Sequence, residues 1–319
     1  MKLILLVAVA VAGLVQSSVV AAQAYPVKPV RIIVTWPPGG SNDVVARVLA
    51  QRLTENLGQT FVVENRPGAT GTIGSDIAAK SPPDGYTIMV NSATHVANPH
   101  VYAKLPYDAM RDFTGIMPLA VQVGMLVVHP SLPVRNTKEF IAFARARPSQ
   151  VTWASTGSGA YTWLTMALLI QMTGTRMLEV PYKGGGPAVI ALSAGEVHSF
   201  FVGTGSLTAA LAAKRVRPLA VASAQRLKQY PDIPTVAETV PGYEMTAWIG
   251  SFVPSGTPRP IVERLNSAFR KALEHPDALK ILGAQTLDPM PMTVDEFAKR
   301  LRVDYDKYEK LIKSTGAKQ

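Results

Sequence analysis

The side chains able to do chemistry are thinly spread along this chain. The five histidines are His95, His100, His129, His198 and His275. His95 and His100 stand five residues apart, and Pro99 between them is expected to break any helix that would align them. Asp84, Asp108 and Asp112 sit beside turn signals, where turn and capping roles dominate. Ser155 and Ser158 fall at a strand–helix junction, but no base stands near them in sequence to activate a nucleophile. G-x-S-x-G, the P-loop, H-E-x-x-H and G-x-G-x-x-G are absent. The chain has no cysteine, which excludes thiol catalysis and cysteine-ligated zinc. The expectation is a non-enzyme that uses no metal and no cofactor.

One kind of junction recurs instead. "TWPPGGSND" (Thr35 to Asp43) follows the apolar run Val30 to Val34 and opens a helical pattern. "NRPGATGTIGSD" (Asn65 to Asp76), "NSATHVANPHVY" (Asn91 to Tyr102), "ASTGSGAYTWL" (Ala154 to Leu164) and "VPYKGGGPAV" (Val180 to Val189) repeat the theme. Each joins Gly, Ser, Thr or Asn to a strand–helix turn. Helix N-termini offer free N–H groups and partial positive charge, so they suit anions. In open α/β sheets the C-terminal strand ends face the binding crevice. Several such loops together suit a carboxylate, held without a full countercharge.

The elements that must position these loops alternate. Short, mostly apolar strands are expected at 30–35, 60–64, 86–91, 124–129, 151–155, 177–180, 197–202 and 218–223. Between them lie helical patterns, the first with Val45, Val48, Leu49 and Leu53 on one face and Gly58 at its stop. Asn136 to Glu139 and Thr293 to Glu296 read as capping boxes, and Pro187 reads as the first residue of a helix that ends at Gly195. From Pro260 onward the chain reads as helix, breaker, helix, with Phe297, Tyr305 and Tyr308 on the buried face of the last. The pattern predicts an α/β protein with mainly parallel sheets.

The chain has 319 residues, 47% hydrophobic and 17% charged, which suits a globular protein with real cores. Its net charge of +10 is scattered, without a basic stripe or reading motif, so nucleic acid is not an expected partner. Lys2, the apolar run from Leu3 to Val15 and Ala22-Gln23-Ala24 read as a cleaved export signal over residues 1–24, with the mature chain starting near Tyr25. The expected location is the periplasm.

The segments "PPGGSNDVVARVLAQRLTENLGQTFVVENRPGATGTIGSD", "KSPPDGYTIMV", "THVANPHVYAKLPYDAMRDF", "VPYKGGGPAVIALSAGEV", "DIPTVAETVPGYE" and "PSGTPRPIVERLN" occur in this order. The chain so resembles the tripartite tricarboxylate transporter receptors, or Bug extracytoplasmic solute receptors, over the whole of 25–319. The resemblance implies a periplasmic-binding-protein-like (type II) fold: two α/β domains with a ligand cleft between them. It places domain 1 over 25–122 plus 249–319 and domain 2 over 123–248. It also implies a monomer that captures a small organic carboxylate and hands it to integral membrane permease subunits of a tripartite transporter. A sensor-kinase partner, giving signalling rather than uptake, stays open.

Site residues carry over by position. Trp36 matches a pocket wall; Gly39, Gly40 and Ser41 match the loop that cradles the proximal carboxylate. Asp43 matches an acidic residue at the helix start, read as a cap for the Val45 or Ala46 N–H. Thr94, His95 and Asn98 match the third loop, and Ser155, Thr156 and Gly159 the domain 2 loop. Tyr182 and Lys183 match the fifth block, with Gly185 and Gly186 serving backbone geometry. The chain departs from the family pattern where ligand identity is decided. Trp163 stands for a common His, His198 for a common acidic residue, and Val202-Gly203-Thr204 for an Asp-Asn-like pair. Gly203 and Thr204 join the ligand-binding set. Without an acidic reader of an amino or hydroxyl group, and with Trp36 and Trp163 as walls, an aromatic or medium-chain dicarboxylate is expected over an amino acid.

Overall fold

The computed structural model describes residues 25–315. The expected export signal over residues 1–24 lies outside the described residues, as do 316–319.

The first half of the molecule is built on β1 (Val30–Val34), β2 (Phe61–Asn65) and β3 (Thr87–Ser92), which pair in parallel with β1 in the middle. Helix α1 (Ser41–Leu57) crosses from β1 to β2, and α2 (Thr72–Ala79) from β2 to β3. The apolar face read from sequence packs inward: Val45, Val48, Leu49 and Leu53 are all buried. Gly58 ends α1 at φ 68°, a left-handed cap that glycine adopts without a Cβ penalty. Helix α3 (Thr94–Val101) follows β3 directly. It runs through Pro99, which corrects the expected break. His95 and His100 still point to different neighbours, Phe113 and Phe252 for the first and Tyr305 for the second.

The long strand β4 (Phe113–Val128) links the halves. Up to Val123 it pairs antiparallel with β9 (Thr246–Pro254); from Gly124 it pairs antiparallel with β7 (Ser199–Gly203). The second half adds β5 (Thr152–Ser155) and β6 (Leu178–Pro181) in parallel beside β7, and β8 (Arg217–Val221) against β4. Its helices are α4 (Thr137–Ala146), α5 (Tyr161–Thr173), α6 (Gly185–Ala194) and α7 (Thr208–Ala212). The chain then returns through β9 to α8 (Arg259–Glu274), α9 (Pro276–Ala284), β10 (Leu287–Pro289) and α10 (Val294–Thr315).

The sheets are therefore mixed, not mainly parallel. Sequence periodicity misses the first half of β4 because Gly115 and Pro118 interrupt it. Its register shifts at both places, and such irregularities are where a strand tolerates proline. Pro187 is the third residue of α6, not the first, because the helix already opens at Gly185. The Thr293–Glu296 box forms: Glu296 N–H donates to Thr293 Oγ1, and Thr293 N–H donates to Glu296 Oε2. At α4, Asn136 Oδ1 accepts from Glu139 N–H, but the Glu139 carboxylate accepts from Arg135 N–H, so the box closes one residue early.

Both faces of the first sheet are covered, one by α1 and α8 with Leu49, Leu265 and Phe269 at its core, the other by α10 through Phe297. Trp248 of β9 donates to Asp304 of α10 at 2.7 Å, which fastens the last helix over the returning strand. A third cluster, with Phe200, Leu192 and Leu207, fills the space between the second sheet and α6.

Candidate functional site

A cavity of about 390 Å³ lies where the two halves meet. The β1–α1 loop supplies its first wall. Gly39 sits at φ +81°, and Gly40 is the N-cap of α1 without a side-chain cap. The amide hydrogens of the first turn are therefore left for an outside acceptor. Asp43 does not cap Val45 or Ala46. Its Oδ2 accepts from Gly39 N–H at 3.0 Å and from Arg47 Nε at 2.9 Å, and its Oδ1 from Asn65 Nδ2 at 2.9 Å. Asn65 Nδ2 also donates to Trp36 O. Asp43 so pulls the glycine loop into shape from behind, because the φ of Gly39 turns its N–H back onto the helix. Burial alone would push the Asp43 carboxyl up; together the Arg47, Gly39 and Asn65 hydrogen bonds outweigh it and hold the carboxyl below its ordinary value.

Asn91, at the end of β3, ties the same wall together. Its Oδ1 accepts from Thr35 Oγ1, Trp36 Nε1 and Ser92 N–H, and its Nδ2 donates to Ser75. This holds the Trp36 indole against the cavity. Thr94 is buried beside it, hydrogen-bonded to Ser92 and Asn91 and outside the lining.

The second half supplies the opposite walls from the ends of β5, β6 and β7. Thr156, Tyr161 and Thr162 line it at the N-terminus of α5, and Gly184 to Pro187 at the N-terminus of α6. Val202, Gly203, Gly205 and Ser206 line it after β7, and Gln122 lines it from β4. The N-termini of α1, α5 and α6 therefore all face one space. Among the described residues, no lining side chain carries a formal charge. Trp36, Pro37, Pro38, Pro187 and Val202 add apolar surface beside these polar groups.

The halves are closed over this space. A Cβ placed on Gly184 would stand 3.3 Å from Pro37 Cγ, one on Gly157 3.1 Å from Thr70 Oγ1, and one on Gly159 2.5 Å from Val101 Cγ2. The second half thus meets the first through bare glycines. Thr204 Oγ1 also donates to Gln285 O across the junction at 3.3 Å.

Of the residues named from sequence, the cavity brings together Trp36, Gly39, Gly40, Ser41, Thr156, Gly185, Gly186, Val202 and Gly203. The others stand behind it. His95 is fully buried between Phe113 and Phe252, with its Nε2 2.9 Å from Ala109 O. Burial lowers its pKa to about 4, against the opposing pull of that hydrogen bond. Ser155 donates to Glu179, and Trp163 packs on Trp153. Gly159 and Thr204 serve the junction, Asn98 donates to Thr70 O, and Tyr182 is half-buried outside the wall. Lys183 is exposed. Sequence reading passes over Asn42, Gln122, Tyr161, Thr162 and Ser206. The signal for Gln122 is its solitude, one amide in the apolar run "LAVQVGMLVV".

The family model described as "Tripartite tricarboxylate transporter family receptor" matches residues 45–317. The chain belongs to this family of tripartite tricarboxylate transporter receptors. BugT of Bordetella pertussis is 33% identical over 97% of this chain and 95% of its own. A UPF0065 protein from the tcbD-tcbE intergenic region of Pseudomonas sp. strain P51 is 39% identical over 91% of this chain and 87% of its own. Among solved structures, an R. palustris protein with adipate is 34% identical, with a TM-score of 0.89, covering 92% of this chain and all of that one. MatC from Rhodopseudomonas palustris with bound malate is 30% identical, with a TM-score of 0.85, over 90% of this chain and 100% of that one. The fold of this tripartite tricarboxylate transporter receptor is thus the periplasmic-binding-protein-like one, two α/β domains around a ligand cleft.

Proposed function

We propose that this receptor captures a small organic dicarboxylate in the periplasm and delivers it to the membrane subunits of a tripartite tricarboxylate-type transporter. The observation that carries the reading is the convergence of three helix N-termini, those of α1, α5 and α6, on one cavity with no charged side chain among the described residues of its wall. Such a site favours anions through N–H donors and helix dipoles, and binding needs no metal. α1 stands on one side and α5 and α6 on the other, so a ligand with a carboxylate at each end matches both. The apolar surface beside them suits an unsubstituted or aromatic body of medium length. The adipate and malate of the two relatives belong to the same chemical class. Lobes of 25–122 with 249–319 and of 123–248 would separate about the crossing strands β4 and β9 to admit and release the ligand.

A thermal-shift and calorimetry screen tests this with straight-chain dicarboxylates from succinate to sebacate, phthalate, citrate and aspartate, with and without chelator. Medium-chain or aromatic dicarboxylates should bind most tightly, and chelator should change nothing. A ligand present at 100 times its Kd stabilises by about 2.7 kcal/mol. A protein that ignores every carboxylate, or prefers aspartate, sinks the proposal.

A further inference from the structure

Gln122 lies on β4 just before the strand passes from one sheet to the other. Its backbone pairs with Ala247 of β9 on one edge and Leu287 of β10 on the other. Clamped on both sides, this position has little freedom to turn, and its side chain reaches the cavity wall. The amide makes no hydrogen bond to the protein among the described residues. Across from it is Gly203. A Cβ placed there would stand 2.8 Å from Gln122 Nε2 and 3.4 Å from Ser41 Oγ. The amide and the first hydroxyl of α1 therefore face the same bare Cα. Gln122 is half-buried at the cavity wall, so its unpaired amide is a donor left to whatever occupies the cavity.

We infer that Gln122 is a specificity-determining residue whose Nε2 donates to the carboxylate held at the N-terminus of α1, and that Gly203 is bare to leave room for that amide. The inference rests on the carboxylate-receptor reading. It adds a neutral side-chain donor to a cradle otherwise made of backbone N–H groups and hydroxyls. An amide contributes direction without charge, which keeps the wall free of any cation.

Calorimetry with adipate on the purified protein tests the assignment; if adipate does not bind, the probe becomes whichever dicarboxylate of the succinate-to-sebacate series does. Gln122→Met keeps the length of the side chain and removes the donor, so affinity should fall about ten- to hundredfold, as for a hydrogen bond to a charged group. Gln122→Glu sets a carboxylate against a carboxylate and should bind more weakly still at pH 7.5. Measured against wild type at the same pH, its affinity should recover in part at pH 5, because the bound carboxylate beside it favours the protonated Glu, which donates as the amide does. Gly203→Ala should displace the amide, and joining it to Gln122→Met should add no further loss. Unchanged affinity in Gln122→Met, or the same ratio for Gln122→Glu at both pH values, overturns the assignment while the carboxylate reading stands. If Gln122→Met fails to fold, the two pH readings on Gln122→Glu decide. A wild-type protein that binds no member of the series overturns the carboxylate reading and this assignment with it.

Discussion

Trp163 Nε1 donates to Glu179 Oε2 at 2.8 Å, while Ser155 Oγ donates to the other oxygen of the same carboxylate. The indole lies against Trp153 and outside the cavity wall, which Trp36 lines. The second aromatic lining residue is Tyr161, not Trp163. Ligand titration should therefore change tryptophan emission through Trp36. Trp36→Phe should silence the change. Trp163→Phe should keep it, together with the order of ligand preference, and cost about 1–2 kcal/mol of stability for the lost hydrogen bond to a charged acceptor. A reordered ligand series in Trp163→Phe would count against this placement.

The strained position of the first loop is Gly39. Its φ of +81° disfavours any side chain, whereas a Cβ on Gly40 would meet only Pro37 O at 3.7 Å. Gly39→Ala should cost about 1–2 kcal/mol of stability from the left-handed backbone and weaken binding by tilting the loop. Ser41→Ala should weaken binding by about 1 kcal/mol, the worth of one hydrogen bond. Paired urea unfolding and calorimetry on the two variants check the order. Ser41→Ala losing far more affinity than Gly39→Ala would mean that the hydroxyl, not the loop backbone, dominates the cradle.

His95 makes stability depend on pH. Burial holds its pKa at about 4 in the folded protein, below the ordinary value of about 6.5 that it regains on unfolding. Between those values the unfolded chain binds the extra proton, so stability falls as pH falls. The contribution is complete above about pH 6.5 and is lost by about pH 4, on the order of 3 kcal/mol. Urea unfolding at pH 7.5 and 4.5 should show that loss in wild type and a smaller one in His95→Leu. Equal slopes would place the pH sensitivity elsewhere.

Gly159 controls how closely the halves meet. At φ +77°, with Val101 Cγ2 only 2.5 Å from where its Cβ would stand, it has room for no side chain. Gly159→Ala should reduce affinity at least about tenfold by propping the cleft open, on the order of 1.4 kcal/mol. Trimming the neighbour with Val101→Ala in the same protein should return part of it. Calorimetry with small-angle scattering follows both. A scattering profile that closes normally on ligand in Gly159→Ala would refute the role.

Local patterns in the chain were enough for much of the frame. The apolar face of α1, the glycine stops at Gly58 and Gly195, the Thr293–Glu296 box and the cores of β1, β3, β5 and β7 all follow from spacing and from what single residues allow a backbone to do. The loops at the C-terminal strand ends were legible for the same reason, and Trp36, Ser41 and Thr156 reach the cavity as those loops suggest. Where a side chain points from such a loop is a different matter. His95 turned inward because Phe113 and Phe252, from strands far along the chain, closed an apolar pocket around it. Trp163 turned to Glu179 because the parallel pairing of β5 with β6 brought an acceptor beside its N–H, and a buried indole N–H seeks one. Gln122 reached the cavity because β4 carries it across the junction, with Gly203 bare on the facing strand. Each of these directions depends on neighbours distant in sequence, and only the packed chain supplies them.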